Sequence, residues 1–197
     1  MPRFPLQTGE EGVSTVGDRA GGFVQRLRRS RGDSKPPFVF VVNFCLGWGN
    51  LIAYFSPRNG SSSPYHPNHD AFGAVLKQFI DGDDEYRNKR FKIIPRCHDG
   101  PWVVRTTVRG KPGITGTKIK TDYHRGKGWF EISIDICSSG FARRMLTCVK
   151  TVSFDLGFVI EGQSEEELPE QLVGALRFHR LCTENLPSFS EWEGRSP

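Results

Sequence analysis

The chain has 197 residues, 37% of them hydrophobic and 12% aromatic, which is enough for one domain with a real core and excludes a fibrous or wholly disordered protein. A formal charge of +5 admits anionic partners, whether phosphate backbones or acidic lipid headgroups, without selecting one. The five cysteines form no C-x-x-C pair and read as free thiols of a reducing compartment; with no signal-peptide core and no run of about 20 uncharged apolar residues, a cytoplasmic protein is expected.

Residues 1–36 are rich in Gly, Arg and Ser, carry a basic cluster at Arg26, Arg28, Arg29 and Arg31, and read as a disordered basic arm with a short helix near Phe23 to Leu27. Order is expected from Pro37. Phe38 to Phe44 (FVFVVNF) is a continuous apolar run of strand length, predicted to be covered on both faces, and Leu51 to Phe55 makes a second strand after the turn residues Gly47 to Asn50. Pro57 to Asn68 reads as a loop. Asp70 is placed to cap a helix whose buried face is Phe72, Val75, Leu76, Phe79 and Ile80, and Gly82 can stop that helix by taking φ > 0. Phe91 to Ile94 and Trp102 to Val108 are predicted as two further strands, separated by a turn around Asp99, Gly100 and Pro101.

A hairpin is expected from Ile114 to Ile136. Pairing across Arg125 to Gly128 sets Ile119 opposite Ile134, Tyr123 opposite Phe130 and Lys118 opposite Asp135, with Gly126 at the positive-φ position of a type II′ turn. From Ser138 the apolar residues Phe141, Met145, Cys148, Val149, Val152, Leu156, Val159 and Ile160 fall on one helical stripe, which predicts a helix of about five turns to Ile160. Ser164 and Glu167 resemble a capping box held to one turn by Pro169, Val173 to Leu181 reads as the last strand, and 183–197 is a polar tail. The resulting expectation is a single α+β domain over 37–182: a mostly antiparallel β-sheet packed against one long and one shorter helix, a pattern compatible with a START-like helix-grip shape.

No G-x-S-x-G, H-E-x-x-H or P-loop pattern is present, so no catalytic residue is assigned. His66 and His69 lack further ligands at metal spacing, and the acidic run Asp81 to Glu85 lacks the rest of a calcium loop; no metal is expected. Two basic sets remain. Arg87, Arg90 and Lys92 follow the acidic turn and read first as ion-pairing partners of it, and second as an anion-binding cluster. Ser138, Ser139, Arg143 and Arg144 stand at a predicted helix start, where arginines oppose the macrodipole and a phosphate or lipid headgroup would relieve the conflict.

Five segments carry a family resemblance in their order along the chain: PFVFVVNF (37–44), FIDGDDEYRNKRFKIIP (79–95), KPGITGTKIKTDYHRGKGWFEISIDI (111–136), SSGFAR (138–143) and ELPEQLVGALRFHRL (167–181). Together they resemble the C-terminal domain of the plant ENHANCED DISEASE RESISTANCE 2 family. The family's usual opening, with W-S-E-P and V-R-G motifs, is absent from residues 1–36, and the chain carries neither a pleckstrin-homology nor a START module. The resemblance implies a non-enzymatic, lipid- or membrane-associated regulatory domain connected with restraint of defence-related cell death, with no cofactor. An anionic lipid or peripheral membrane surface is the implied partner, and a protein partner is the alternative. Nucleic-acid binding through the Arg26 to Arg31 arm is disfavoured, because no stacking-aromatic RNP motif accompanies it.

Overall fold

The computed structural model describes residues 15–17, 22–30, 35–63, 71–108, 110 and 112–182. In chain order its helices and strands are α1 (Phe23–Ser30), β1 (Val39–Cys45), β2 (Asn50–Phe55), α2 (Ala71–Asp81), α3 (Asp84–Arg90), β3 (Phe91–Asp99), α4 (Trp102–Thr107), β4 (Gly113–Ile114), β5 (Thr121–Gly126), β6 (Trp129–Asp135), α5 (Gly140–Leu146), β7 (Ser153–Ile160) and β8 (Leu172–His179). The α+β class and the mostly antiparallel pairing follow the expectation, but the strands divide into two four-stranded sheets, β2-β1-β6-β5 and β4-β3-β7-β8. Only β1 and β6 pair in parallel among the described strands.

The two sheets share one core. Phe40 and Phe44 of β1 and Phe130 and Ile134 of β6 meet Phe91 of β3 and Phe158 of β7, and α2 closes the same cluster with Val75, Leu76, Phe79 and Ile80. The Phe91 and Phe158 rings stack with centroids 6.2 Å apart and planes 1° from parallel. Burying one such side chain contributes about 1.5–3 kcal/mol. The unbroken apolar run of β1 has a simple cause. Phe40, Val42 and Phe44 face the shared core, while Val39 and Val41 point the other way and join Val16, Val24 and Trp129 in a second cluster.

That second cluster takes in the described parts of the expected basic arm, where the short helix foreseen near Phe23 to Leu27 is α1. In the arm's described parts, Val16 and Val24 are buried against the outer face of the first sheet, and the Gly17 N–H donates to the buried carboxylate of Glu131 at 3.0 Å. Arg31 and Asp70 lie outside the described residues, as do His66 and His69.

The largest correction concerns Ser138 to Ile160. A 3-10 turn spans Ile136–Ser138, α5 has seven residues, and β7 occupies the last eight positions of the expected five-turn helix. The same apolar residues fit two periods. Phe154 and Phe158 are off the helical stripe but complete a strand alternation, Phe154, Leu156, Phe158, Ile160, and Gly157 in a helix interior would cost about 1 kcal/mol relative to Ala. Pairing with β3 on one side and β8 on the other decides for the strand.

Trp102 to Val108, expected as a strand, forms α4 and its C-terminal cap instead; Val104 in the helix and Val108 at the cap, four apart, are buried, while Trp102 and Val103 face solvent. The β5–β6 hairpin sits two residues from the predicted register, with Thr121 opposite Ile134 and Tyr123 opposite Ile132. A two-residue slip preserves the face of every side chain. The positive φ accordingly falls on Gly128, at 76°, and not on Gly126. Gly82 ends α2 without a positive φ: an added Cβ would press into the carbonyl oxygen of Gln78, so close approach is what requires glycine there. Beyond it Asp83 caps α3, its carboxylate accepting from Tyr86 N–H at 2.8 Å.

Candidate functional site

The two basic sets meet different fates. Arg87 turns inward, donating from Nε to the Phe79 carbonyl and from Nη2 to the Ile80 carbonyl, both at 2.9 Å, and pairing with Asp84 at 2.6 Å. It thereby satisfies the last turn of α2 and lies over the Phe130 ring. Arg90 is buried, stacks on Tyr86 at 4.3 Å, and bonds the Glu161 carbonyl at 2.9 Å and the Glu167 carboxylate at 2.6 Å. Lys92 pairs with Glu170 at 2.8 Å and Glu161 at 3.2 Å. Burial works against the Lys92 charge, but its hydrogen bonds to Glu170 and Glu161 outweigh that and hold its pKa above the usual lysine value. Arg87 thus ties α3 to α2, while Arg90 and Lys92 tie α3 and β3 to the 161–170 segment.

The structure brings Ser138, Ser139, Arg143 and Arg144 together at the start of α5, but the hydroxyls are engaged. Ser138 Oγ donates to the Asp135 carbonyl at 2.6 Å and accepts from Lys120 N–H at 2.9 Å. Ser139 Oγ caps α5 by accepting from Ala142 N–H at 3.3 Å, and Arg143 folds back to the Cys137 carbonyl at 2.7 Å. Arg144 is exposed. With seven residues in place of five turns, α5 offers little of the dipole on which a phosphate site was expected.

What this region does border is a cavity of about 550 Å³. The first sheet contributes Phe44 and Leu51, the second Ile93, Phe154, Leu156 and Phe178, and α5 lies along it with Phe141, Ala142, Met145 and Leu146. Among the described residues its few polar side chains are Asn50, Thr107, Thr115 and Ser139, and Lys118 is its single ionisable lining residue. Two large aromatics stand at the wall yet reach solvent: Trp48, 49% exposed, in the β1–β2 turn, and Phe141, 57% exposed, on α5. Sequence reasoning had placed the chemistry at Ser138 to Arg144 and missed Trp48, Lys118 and the β7 wall. A tryptophan held between Gly47 and Gly49 was a legible signal; the β7 wall was hidden by the helical reading.

Other polar clusters of the described residues are structural. Ser153 Oγ lies 2.8 Å from His179 Nδ1, but Ser153 is 1% exposed and out of reach of a substrate, while the neighbouring Asp99 pairs with Arg180 at 3.0 Å. Glu131, also 1% exposed, accepts from Gly17 N–H, from Ser133 Oγ at 2.9 Å and from Asn43 Nδ2 at 3.4 Å, which satisfies it without a cation. The Cys45 thiol is pushed up to about 11, first by burial and then by Asp135 and Glu131, so it is a poor thiolate. Among the described residues no three His, Cys, Asp or Glu side chains converge on a metal position, and no helix is long and apolar enough to cross a membrane.

No solved structure matches the chain. A protein from Arabidopsis thaliana named ENHANCED DISEASE RESISTANCE 2-like is 38% identical over 109 residues, a stretch covering 53% of this chain and 15% of that protein. The family model described as Protein ENHANCED DISEASE RESISTANCE 2, C-terminal, matches residues 6–181. That span takes in the packed part of the arm, both sheets and every wall of the cavity, and the chain belongs to this family.

Proposed function

We propose that the domain is a non-enzymatic, lipid- or membrane-associated regulatory domain acting in plant defence at the cytoplasmic side of a membrane, with the cavity beside α5 as its ligand site. The cavity carries the reading. Its volume of about 550 Å³ falls within the roughly 300–1,000 Å³ typical of small-molecule sites, and its walls are apolar with a few polar groups, the pattern such sites share. Trp48 and Phe141 extend the apolar lining out to solvent, as aromatic side chains do where a protein meets the boundary between water and hydrocarbon. The family resemblance to plant defence regulators supports the regulatory role.

Native mass spectrometry of the purified protein tests this. The expected spectrum contains a bound lipid that is lost in an Ala142→Trp variant, whose indole projects from α5 into the cavity. A stably bound protein with no lipid in the wild-type spectrum would refute the reading in favour of a protein-interaction module.

A further inference from the structure

We propose that the ligand of this cavity is an acyl chain with an anionic head, and that Lys118 at the cavity wall holds the head. The inference rests on the lipid reading above and narrows it to one chemical class. Lys118 is exposed, lines the cavity, and among the described residues is the single charge in its apolar walls, with no acidic residue beside it. Among the described residues no carboxylate pairs with it, nor with Lys120, Arg143 or Arg144.

Of these four cations Lys118 is the one that lines the cavity. Lys120 N–H is joined to Ser138 Oγ at 2.9 Å, and Ser139 and Ala142 at the start of α5 line the same cavity as Lys118. Arg90 and Lys92, by contrast, each meet a carboxylate. A lysine without a carboxylate partner at the wall of an apolar hollow matches an amphiphile with the opposite charge at one end, since the tail loses water to the walls while the head forms a charge-assisted hydrogen bond with Lys118. A carboxylate and a phosphate monoester share that chemistry. A neutral lipid would leave Lys118 without a partner and gain nothing from its charge.

The test compares oleate, oleyl phosphate and oleyl alcohol, which share one chain and differ in the head, by isothermal titration of the delipidated full chain below their micelle concentrations. At least one of the two anions should bind about tenfold tighter than the alcohol, as expected for one charge-assisted hydrogen bond. The tighter of the two anions identifies the head. Lys118→Met should erase the difference while leaving the alcohol affinity unchanged, and Lys127→Met, in the hairpin turn, should preserve it. Ala142→Trp, checked for folding by circular dichroism, should abolish binding of all three. Equal binding of alcohol and both anions, or a difference that survives Lys118→Met, overturns the assignment of the head and leaves the lipid reading standing. No binding of any of the three, or undiminished binding to folded Ala142→Trp, overturns both.

Discussion

Phe158→Ala is the perturbation that discriminates most sharply between strand and helix for residues 153–160. In the helical reading Phe158 falls off the buried stripe, and its truncation would fall within about 0.5 kcal/mol, as for an ordinary surface site. In the structure Phe158 is 0% exposed, stacked on Phe91 at 6.2 Å and within 5.5 Å of the Phe55 and 6.1 Å of the Phe44 ring centroids, so it joins both sheets. Removing a ring from such a site loses its transfer free energy and leaves a cavity bounded by two sheets that cannot easily close, which together cost about 3–5 kcal/mol. For a chain of 197 residues each kcal/mol lowers Tm by about 2–4 °C, so a fall of about 6–20 °C is expected. Urea denaturation followed by far-ultraviolet circular dichroism gives the loss directly, with an unchanged slope showing that the unfolding transition is the same. Phe141→Ala, at a ring 57% exposed on α5, is the internal control and should cost little. A loss below about 1 kcal/mol in Phe158→Ala with an unchanged slope would refute the two-sheet core.

Two further outcomes follow from the outer face of the first sheet and from the 161–170 segment. Gly17→Val would drive a side chain into the ring of Trp129, which is itself buried and unable to yield; a loss of about 1–3 kcal/mol is expected, with faster proteolysis near α1, and wild-type protection would contradict the packing of the arm. Glu167 has its pKa held below the ordinary value of 4.5, first by its hydrogen bond from Arg90 and then by the Gln163 N–H. A depressed folded-state pKa contributes stability that is complete above that value and is lost as pH falls through the folded one. Glu167→Gln should therefore flatten part of the acid-side decline in urea midpoint, leaving the remainder to Asp99, Asp155 and Glu166, whose pKa values are also lowered. An unaltered acid slope in Glu167→Gln would show that the Arg90 pair does not titrate with folding.

Particular segments show why some of the molecule was legible and some not. Strands β1 and β2 and helix α2 were legible because each carries one unambiguous period: FVFVVNF is too short and too β-branched for a helix, and Phe72 to Ile80 repeats only at helical spacing. The hairpin parity was legible for the same reason, although its turn was misplaced among the four glycine and basic residues Arg125 to Gly128, which offer two nearly equivalent loops. Residues 138–160 were misread because their apolar positions satisfy both periods, and one of the strand partners that choose between them, β3, lies more than 40 residues away. At the candidate site, the cations of Ser138 to Arg144 were visible, but the walls of the cavity come from both sheets and α5 and have no local signature.

By itself the sequence determined family membership, the α+β class and the elements whose side chains repeat at a single spacing, because these depend on contacts within a few residues. Tertiary structure decided the division into two sheets, the strand character of β7 and the inward pairing of Arg87, Arg90 and Lys92. It also decided that Lys118 stands, among the described residues, as the single charge in an apolar hollow. Each of these depends on which distant residues arrive alongside: a strand needs its neighbours' hydrogen bonds, a buried cation needs its carboxylate, and a cavity exists only between surfaces brought together by the fold.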